Sequence, residues 1–266
     1  LLGLNSPLAA VAAVFHMMNH ATFKASLFMA VGIIDHESGT RDMRRLDGLF
    51  RFMPITGTLA IVACAAMAGV PLLNGFLSKE MFFAETLFVE SHRAVEFIVP
   101  VVATVAAAAS VAYSLRFIHD VFFNGAPVGL PRTPHEPPRW MRIPVEVLVV
   151  VCLVVGMLPA ATVGPVLAVA ARATLGGTLP EYSLALWHGW NLPLLMSAVA
   201  LTAGAAAYFG LQRTINLHSV TRLPVNGKHV FDALVAAAVR LAAGVTAALP
   251  FGRLRGMLAC VIAAAI

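Results

Sequence analysis

Long apolar segments follow one another along nearly the whole chain, and most of them are long enough to cross a lipid bilayer. They lie at about 7–34, 53–90, 94–123, 143–171, 191–211 and 230–249, and a further segment begins near 257. About 20 apolar helical residues span the hydrocarbon core of a bilayer. Backbone polar groups in lipid must be satisfied within the chain, which favours helices for segments of this length. The sequence therefore predicts an all-α fold, a polytopic bundle of transmembrane helices.

The overall composition excludes several other classes of protein. Hydrophobic residues make up 59% of the chain and charged residues 12%, which is typical of a membrane protein and not of a soluble domain. The formal net charge of +5 does not point to nucleic acid, because the basic residues lie at the ends of apolar segments, as they do in membrane proteins. Cys64, Cys152 and Cys260 lie far apart within apolar stretches, and we expect them to be small core residues.

The segment 53–90 is too long for one simple helix and contains the sequence GVPLLNG. Pro71 removes a backbone donor, and Gly69 and Gly75 tolerate unusual dihedral angles, so we expect the helix to break there. Either two helices meet in a re-entrant turn, or one crossing is divided into two half-helices. Arginine-rich loops follow residues 34, 123 and 211, and they fall on one side of the membrane only if 53–90 crosses once. We prefer the single discontinuous helix.

The first apolar segment carries a stripe of three ionisable side chains, His16, His20 and Lys24. Residues four apart on a helix are offset by about 40° and about 6 Å, so the stripe is roughly 12 Å long. A zinc site is a weak alternative, because no third ligand stands nearby, and a packing role for both histidines also stays open. Lys24 on the same stripe favours a proton relay, since ionisable residues inside a membrane are costly and usually functional.

Lys79 lies just after the predicted break, and we interpret it as a switching proton carrier. Only three of the 18 basic residues are lysines, and an ammonium, unlike a guanidinium, readily loses its proton when it is buried. The alternative is a static ion pair with an acid outside this sequence. The adjacent Glu80 points about 100° away and is not a natural partner for Lys79. Glu80 and Glu85 are either further relay groups or interfacial residues.

Two polar residues, Asn74 and Ser78, lie between the predicted break and Lys79. Asn74 and Ser78 either satisfy backbone groups freed by the break or contact a hydrated ion, and the sequence leaves both roles open. We expect no cofactor and no metal site.

Two motifs in combination resemble the proton-translocating subunits shared by respiratory complex I and the Mrp-type cation/proton antiporters. HMMNHATFKASLF at 16–28 is similar to the HxxxHxxxK helix of that family, and MAGVPLLNGFLSKEMFF at 67–83 is similar to its broken helix. Within the family, GIIDHESGTRDMRRLDGL at 32–49 and PEYSLALWHGWNLPLL at 180–195 resemble the A subunit of the Mrp/Mnh/Pha antiporters.

The resemblance implies a domain organisation and a function. Residues 1–125 would be the C-terminal part of a second antiporter-like repeat, and 126–266 would be additional transmembrane helices of the A subunit. Because the chain starts without Met and stops within an apolar run, we expect an interior portion of a longer protein, with the first repeat before Leu1.

In this family Lys79 would exchange protons with the exterior half-channel, and Lys24, His20 and His16 would form the central hydrophilic axis. The implied activity is efflux of Na⁺, Li⁺ or K⁺ coupled to proton entry, in a multisubunit complex of the bacterial plasma membrane, without a cofactor. Two alternatives remain: a proton-pumping subunit of a quinone reductase or membrane hydrogenase, and an inert scaffold.

Overall fold

The structure is a computed structural model that describes residues 1–4, 6–89, 93–214, 227–248, 256, 258 and 261–262. Its helices are α1 Pro7–Ser38, α2 Pro54–Ala68, α3 Asn74–Leu87, α4 Arg93–Ile118, α5 Arg139–Met157, α6 Pro159–Thr162, α7 Gly164–Leu175, α8 Leu192–Thr214 and α9 Gly227–Ala248. A π-helical turn at His119–Phe123 extends α4. The described ranges contain helices, turns and loops but no strand, which confirms the predicted all-α fold.

The first helix begins where the sequence signals it. The Ser6 hydroxyl accepts a hydrogen bond from the Ala9 amide at 2.9 Å, and Pro7 occupies the first helical position. The helix ends 32 residues later at Gly39, whose φ of 74° is the left-handed conformation of a C-cap. At 1.5 Å per residue α1 is about 48 Å long, enough to cross a bilayer.

The predicted break in the second segment is confirmed. The second helix ends at Ala68, and Gly69 caps it with a φ of 86°. The chain then leaves helical geometry until Asn74 begins α3. A Cβ at Gly75 would lie 1.8 Å from the Ala66 carbonyl oxygen, so the start of α3 approaches the end of α2 as only glycine allows.

Together α2 and α3 form one crossing. Residues further along α2 and α3 contact residues progressively closer to the N-terminus of α1. Ala60 shares a core cluster with Ala30, Cys64 with Leu27, and Phe76 with Phe15. Near the end of α3, Glu85 accepts a hydrogen bond from Ser6. The two half-helices therefore run antiparallel to α1 over nearly its full length. This geometry agrees with a discontinuous helix and not with a re-entrant hairpin.

The apolar segment at 143–171 is not one continuous helix in the structure. Helix α5 ends at Met157, where Leu158 leaves helical geometry with a φ of −132°. Pro159 and Pro165 then begin the short helices α6 and α7. Proline lacks the amide donor that a continuing helix needs, and the apolar composition of the segment concealed this interruption.

Four helical stretches in the described part of the chain are long and apolar enough to cross a membrane: Arg93–Phe123, Arg139–Met157, Leu192–Arg213 and His229–Ala247. Helix α1 is longer than each of them, but its polar stripe lowers its mean hydropathy. Helix α9 belongs to a separate compact unit, 219–266, in which its described side chains are exposed. Cys260 and nearly all of the predicted segment from 257 lie outside the described residues.

The loops that carry many of the arginines pack against one another at one end of the bundle. Arg132 donates to the His36 carbonyl at 3.1 Å, and the Val128 amide donates to the Arg45 carbonyl at 3.3 Å. These contacts join the loops after α1 and after the π-helical turn. We call this the arginine-rich end, and by the positive-inside rule we expect it to face the cytoplasm.

Candidate proton-transfer site

The break in the discontinuous helix positions the Lys79 ammonium. Lys79 Nζ donates a 2.9 Å hydrogen bond to the Ala68 carbonyl oxygen, which is one of the backbone groups freed at the end of α2. The lysine stem passes over Gly69, where an added Cβ would lie 2.8 Å from Lys79 Cδ. The half-buried ammonium thus rests on the negative end of a half-helix, and within the described residues no carboxylate pairs with it.

His16 and Lys79 line one cavity of about 220 Å³, with Phe82 and small residues of α4 around them. Liquid water occupies about 30 Å³ per molecule, so the cavity has room for several waters. His16 Nδ1 lies 3.1 Å from the hydroxyl of Ser78, which is fully buried and precedes Lys79 on α3. Ser78 holds the first imidazole of the stripe against the same turn that carries Lys79.

The remaining two members of the stripe follow His16 along α1. The ring centroids of His16 and His20 are 5.9 Å apart. Lys24 Nζ lies 5.5 Å from the ring centroid of Tyr113 on α4, within the range of a cation–π contact. A cavity of about 70 Å³ beside Lys24 is lined also by Tyr113 and Cys64. His16 at one end of the stripe therefore lies at the helix break, and Lys24 at the other end lies against α4.

Asn74 and Ser78 are both fully buried at the start of α3. The Ser78 hydroxyl donates to the Gly75 carbonyl at 3.3 Å within the first turn of α3. Among the described residues, the Asn74 amide has no nitrogen or oxygen partner and lies beside the Cys152 thiol of α5. Contact with a hydrated ion therefore stays a prediction for both residues.

Glu80 and Glu85 line a different cavity from Lys79, and Glu80 does not pair with Lys79, as the 100° offset predicted. Glu80 accepts a 3.3 Å hydrogen bond from the Asn191 amide, and its carboxylate lies 3.7 Å from His188 Nδ1. Glu85 accepts a 2.6 Å hydrogen bond from the Ser6 hydroxyl. Both carboxylates are buried at the rim of a separate cavity of about 290 Å³.

One group of ionisable residues was missed by the sequence reasoning. Asp120 in the π-helical turn is fully buried and contacts Arg116, His119 and Tyr208. Tyr208 comes from α8, 88 residues further along the chain. The only sequence signal was a charged pair, His119 and Asp120, near the end of an apolar segment, and such pairs usually mark an interface with water.

A discontinuous transmembrane helix, with an ammonium at its break and a histidine-lined cavity beside it, defines a class of protein: membrane-embedded ion-translocating subunits. Comparison with known proteins narrows this class. Residues 2–106 match the family described as NADH:quinone oxidoreductase/Mrp antiporter, transmembrane.

Named relatives agree with that match. The A/B subunit of a probable K⁺/H⁺ antiporter from Rhizobium meliloti (strain 1021) is 61% identical over 87% of this chain and 24% of the relative. The A subunit of the Na⁺/H⁺ antiporter from Bacillus subtilis (strain 168) is 35% identical over 85% of this chain and 30% of the relative. The structure of the Mrp complex from Dietzia sp. DQ12-45-1b matches with a TM-score of 0.75 and 33% identity, covering 98% of this chain and 28% of that chain.

These matches support the resemblance to Mrp-type antiporter A subunits that the motifs at 16–28 and 67–83 predicted, and they extend over most of this chain. It is a membrane protein, and it spans about a quarter to a third of the length of these relatives.

Proposed function

We propose that this chain is part of a multisubunit monovalent cation/proton antiporter of a bacterial plasma membrane, and that protons move along Lys79, His16, His20 and Lys24. The observation that carries the proposal is the cavity shared by His16 and Lys79. In this proposal the protein is a secondary transporter and not an enzyme. Residues 1–125 form the proton-translocating part, and 126–266 add further transmembrane helices.

The contacts of Lys79 support a change of protonation state. A lysine in a static ion pair is held charged by its carboxylate, whereas Lys79 contacts a neutral carbonyl. Burial in an apolar environment favours the neutral amine, and the carbonyl favours the ammonium, so these two effects oppose each other at Lys79. A proton that leaves Lys79 can reach His16 through water in the shared cavity.

The other end of the stripe is arranged in a similar way. The ring of Tyr113 attracts the Lys24 ammonium without carrying a full negative charge. Two ammonium groups in a low dielectric repel each other, so protonation of Lys79 drives a proton away from Lys24.

The relatives' names guide the choice of the transported cation. The 61% identical relative is named as a K⁺/H⁺ antiporter, and the 35% identical one as a Na⁺/H⁺ antiporter. We therefore propose K⁺ as the first cation to test and Na⁺ as the second. Partner subunits are part of the proposal, because the matching solved structure is that of a complex.

The test uses the full-length protein, assembled with its partner subunits, in everted vesicles from a strain without its own cation/proton antiporters. Addition of K⁺ or Na⁺ should collapse a preformed pH gradient. Lys79→Ala and Lys24→Ala should each lower this flux by roughly 100-fold, the lower end of what a positioned proton carrier contributes. Wild-type flux in both variants would contradict the relay and favour the scaffold.

A second candidate function follows from the family description, which also includes NADH:quinone oxidoreductases. A redox-linked pump would acidify the vesicles only when an electron donor is supplied. Collapse of the gradient by K⁺ or Na⁺ without a donor would exclude that function.

A further inference from the structure

The residues missed by the sequence reasoning form a continuous chain of hydrogen bonds. The Tyr208 hydroxyl lies 2.8 Å from His119 Nδ1 and 3.0 Å from Asp120 Oδ1. A hydroxyl has one proton to donate, so both contacts are hydrogen bonds when His119 Nδ1–H donates to Tyr208 and Tyr208 donates to Asp120. This order runs from the partly exposed imidazole to a fully buried carboxylate.

The chain lies at the arginine-rich end of the bundle. Val121 and Phe122, which follow Asp120, pack in one core cluster with Leu46 and Leu49 of the arginine-rich loop after α1. The His119 side chain is 37% exposed, so it can exchange protons with water at that end. The turn that carries His119 and Asp120 is π-helical, a distortion that is frequent at functional sites.

Two neighbouring cavities lie near this group and Lys24. Arg116 Nε lies 3.4 Å from Asp120 Oδ2, and Arg116 also lines a cavity of about 320 Å³. That cavity shares Val31, Tyr113 and Phe117 with the cavity of about 70 Å³ beside Lys24. Arg116 therefore contacts Asp120 and also lines a cavity that neighbours the cavity beside Lys24.

We propose that His119, Tyr208 and Asp120 form an inner proton chain that carries protons between the cytoplasmic aqueous phase and Lys24. The inference rests on the proposed function, in which Lys24 is a proton carrier, and it adds the route by which Lys24 reaches the inner side.

The protons balance at each step of the inner proton chain. For proton entry, the Lys24 ammonium gives a proton to water in the cavity, and the water protonates Asp120, which becomes a neutral carboxylic acid. Asp120 passes this proton to the Tyr208 oxygen while Tyr208 passes its own proton to His119 Nδ1, and His119 releases its Nε2 proton to cytoplasmic water. Because the Arg116 guanidinium contacts the fully buried Asp120 carboxylate, it must move aside for the transfer from the cavity.

The test compares variants of the full-length protein in its complex, with cation-dependent proton flux normalised to the amount of assembled complex. Tyr208→Phe keeps the ring and removes the hydroxyl, and Asp120→Asn keeps the shape and removes the charge. Each should lower the flux by roughly tenfold or more. Asp120→Glu, which keeps a carboxylate, should retain a measurable part of the flux.

A matched control separates the chain from simple packing. Thr202→Val removes an exposed hydroxyl from the same helix as Tyr208, where it bonds only to backbone carbonyls, and should keep wild-type flux. His119→Gln, at a partly exposed position, tests the chain even if the buried variants do not assemble, and it should also lose flux. If Tyr208 and Asp120 only hold α8 against α4, the Tyr208→Phe and Asp120→Asn complexes should assemble with lower thermal stability and wild-type flux. That result would overturn the inference.

Failure of the inference and failure of the proposed function give different results. If Lys24→Ala and Lys79→Ala lose flux while the Tyr208, Asp120 and His119 variants keep it, the inner proton chain is wrong and the relay stands. If all of these variants keep wild-type flux, the relay itself is wrong.

Discussion

The most consequential contact at the scale of single residues is the hydrogen bond from Lys79 to the Ala68 carbonyl. It gives the ammonium a partner that carries no net charge, so the proton can leave without creating an unpaired buried carboxylate. The residue types that surround it fit the same purpose, because Gly69 gives room for the lysine stem and Ser78 orients His16. The chemistry of Lys79 therefore depends on its neighbours as well as on its own amine.

Asp42 offers a contrasting case in the arginine-rich loop after α1. The Arg44 side chain donates hydrogen bonds to the Asp42 carboxylate and lowers its pKa from 3.8 to about 2. Because the folded pKa is below the unfolded value, the stabilisation is complete above about pH 4 and is lost only as the pH falls toward 2. Asp42 is thus ionised throughout the working range of the protein and carries no protons.

We therefore predict that Asp42→Asn leaves the pH profile of cation-dependent proton flux unchanged. The variant should lose a little stability, by the same amount at pH 6, 7 and 8, since the carboxylate is ionised at each. Thermal unfolding and flux at these three pH values check the prediction. A shift of the flux profile in Asp42→Asn would mean that this carboxylate titrates in the working range.

The discontinuous helix is the secondary-structure element on which the proposed function depends. Its position could be predicted from Pro71 and the flanking glycines, and its single crossing from the distribution of arginines, because both depend on local or additive properties. The interruption between α5 and α7 was not predicted, because the segment was judged by its composition. Composition alone treats Pro159 and Pro165 as two residues in an apolar run, whereas their missing donors end the helix.

The overlap of the two half-helices gives a prediction for Gly75. A Cβ at this position would lie 1.8 Å from the Ala66 oxygen and 2.8 Å from the Ala66 carbonyl carbon, which are backbone atoms that cannot move independently. Gly75→Ala should therefore destabilise the protein by roughly 1–3 kcal/mol, the usual cost of overpacking, and lower the flux.

Gly32→Ala is the matched control for Gly75→Ala, because nothing lies within 4 Å of a Cβ added at Gly32 on α1. It should be neutral or slightly stabilising, since alanine favours a helix more than glycine does. Thermal unfolding of the purified complex compares the two variants. Equal stability of Gly75→Ala and Gly32→Ala would show that the half-helices do not need this close approach.

At the scale of the whole molecule, the sequence identified residues within one motif better than residues that meet through folding. His16, His20 and Lys24 share a helical spacing, so their stripe could be predicted before the structure was known. Tyr208 and Asp120 are 88 residues apart, and nothing in either segment signals their contact. The same holds for Asn191 and His188, whose approach to Glu80 depends on how the loop before α8 packs.

The central claim is that Lys79 works by releasing and binding a proton, and Lys79→Arg tests it most directly. Arginine keeps the positive charge and can bind the Ala68 carbonyl, but its guanidinium does not lose a proton in proteins. The measurement is cation-dependent proton flux in everted vesicles, per assembled complex. We expect Lys79→Arg to assemble and to have as little flux as Lys79→Ala, and wild-type flux in Lys79→Arg would contradict proton release by Lys79.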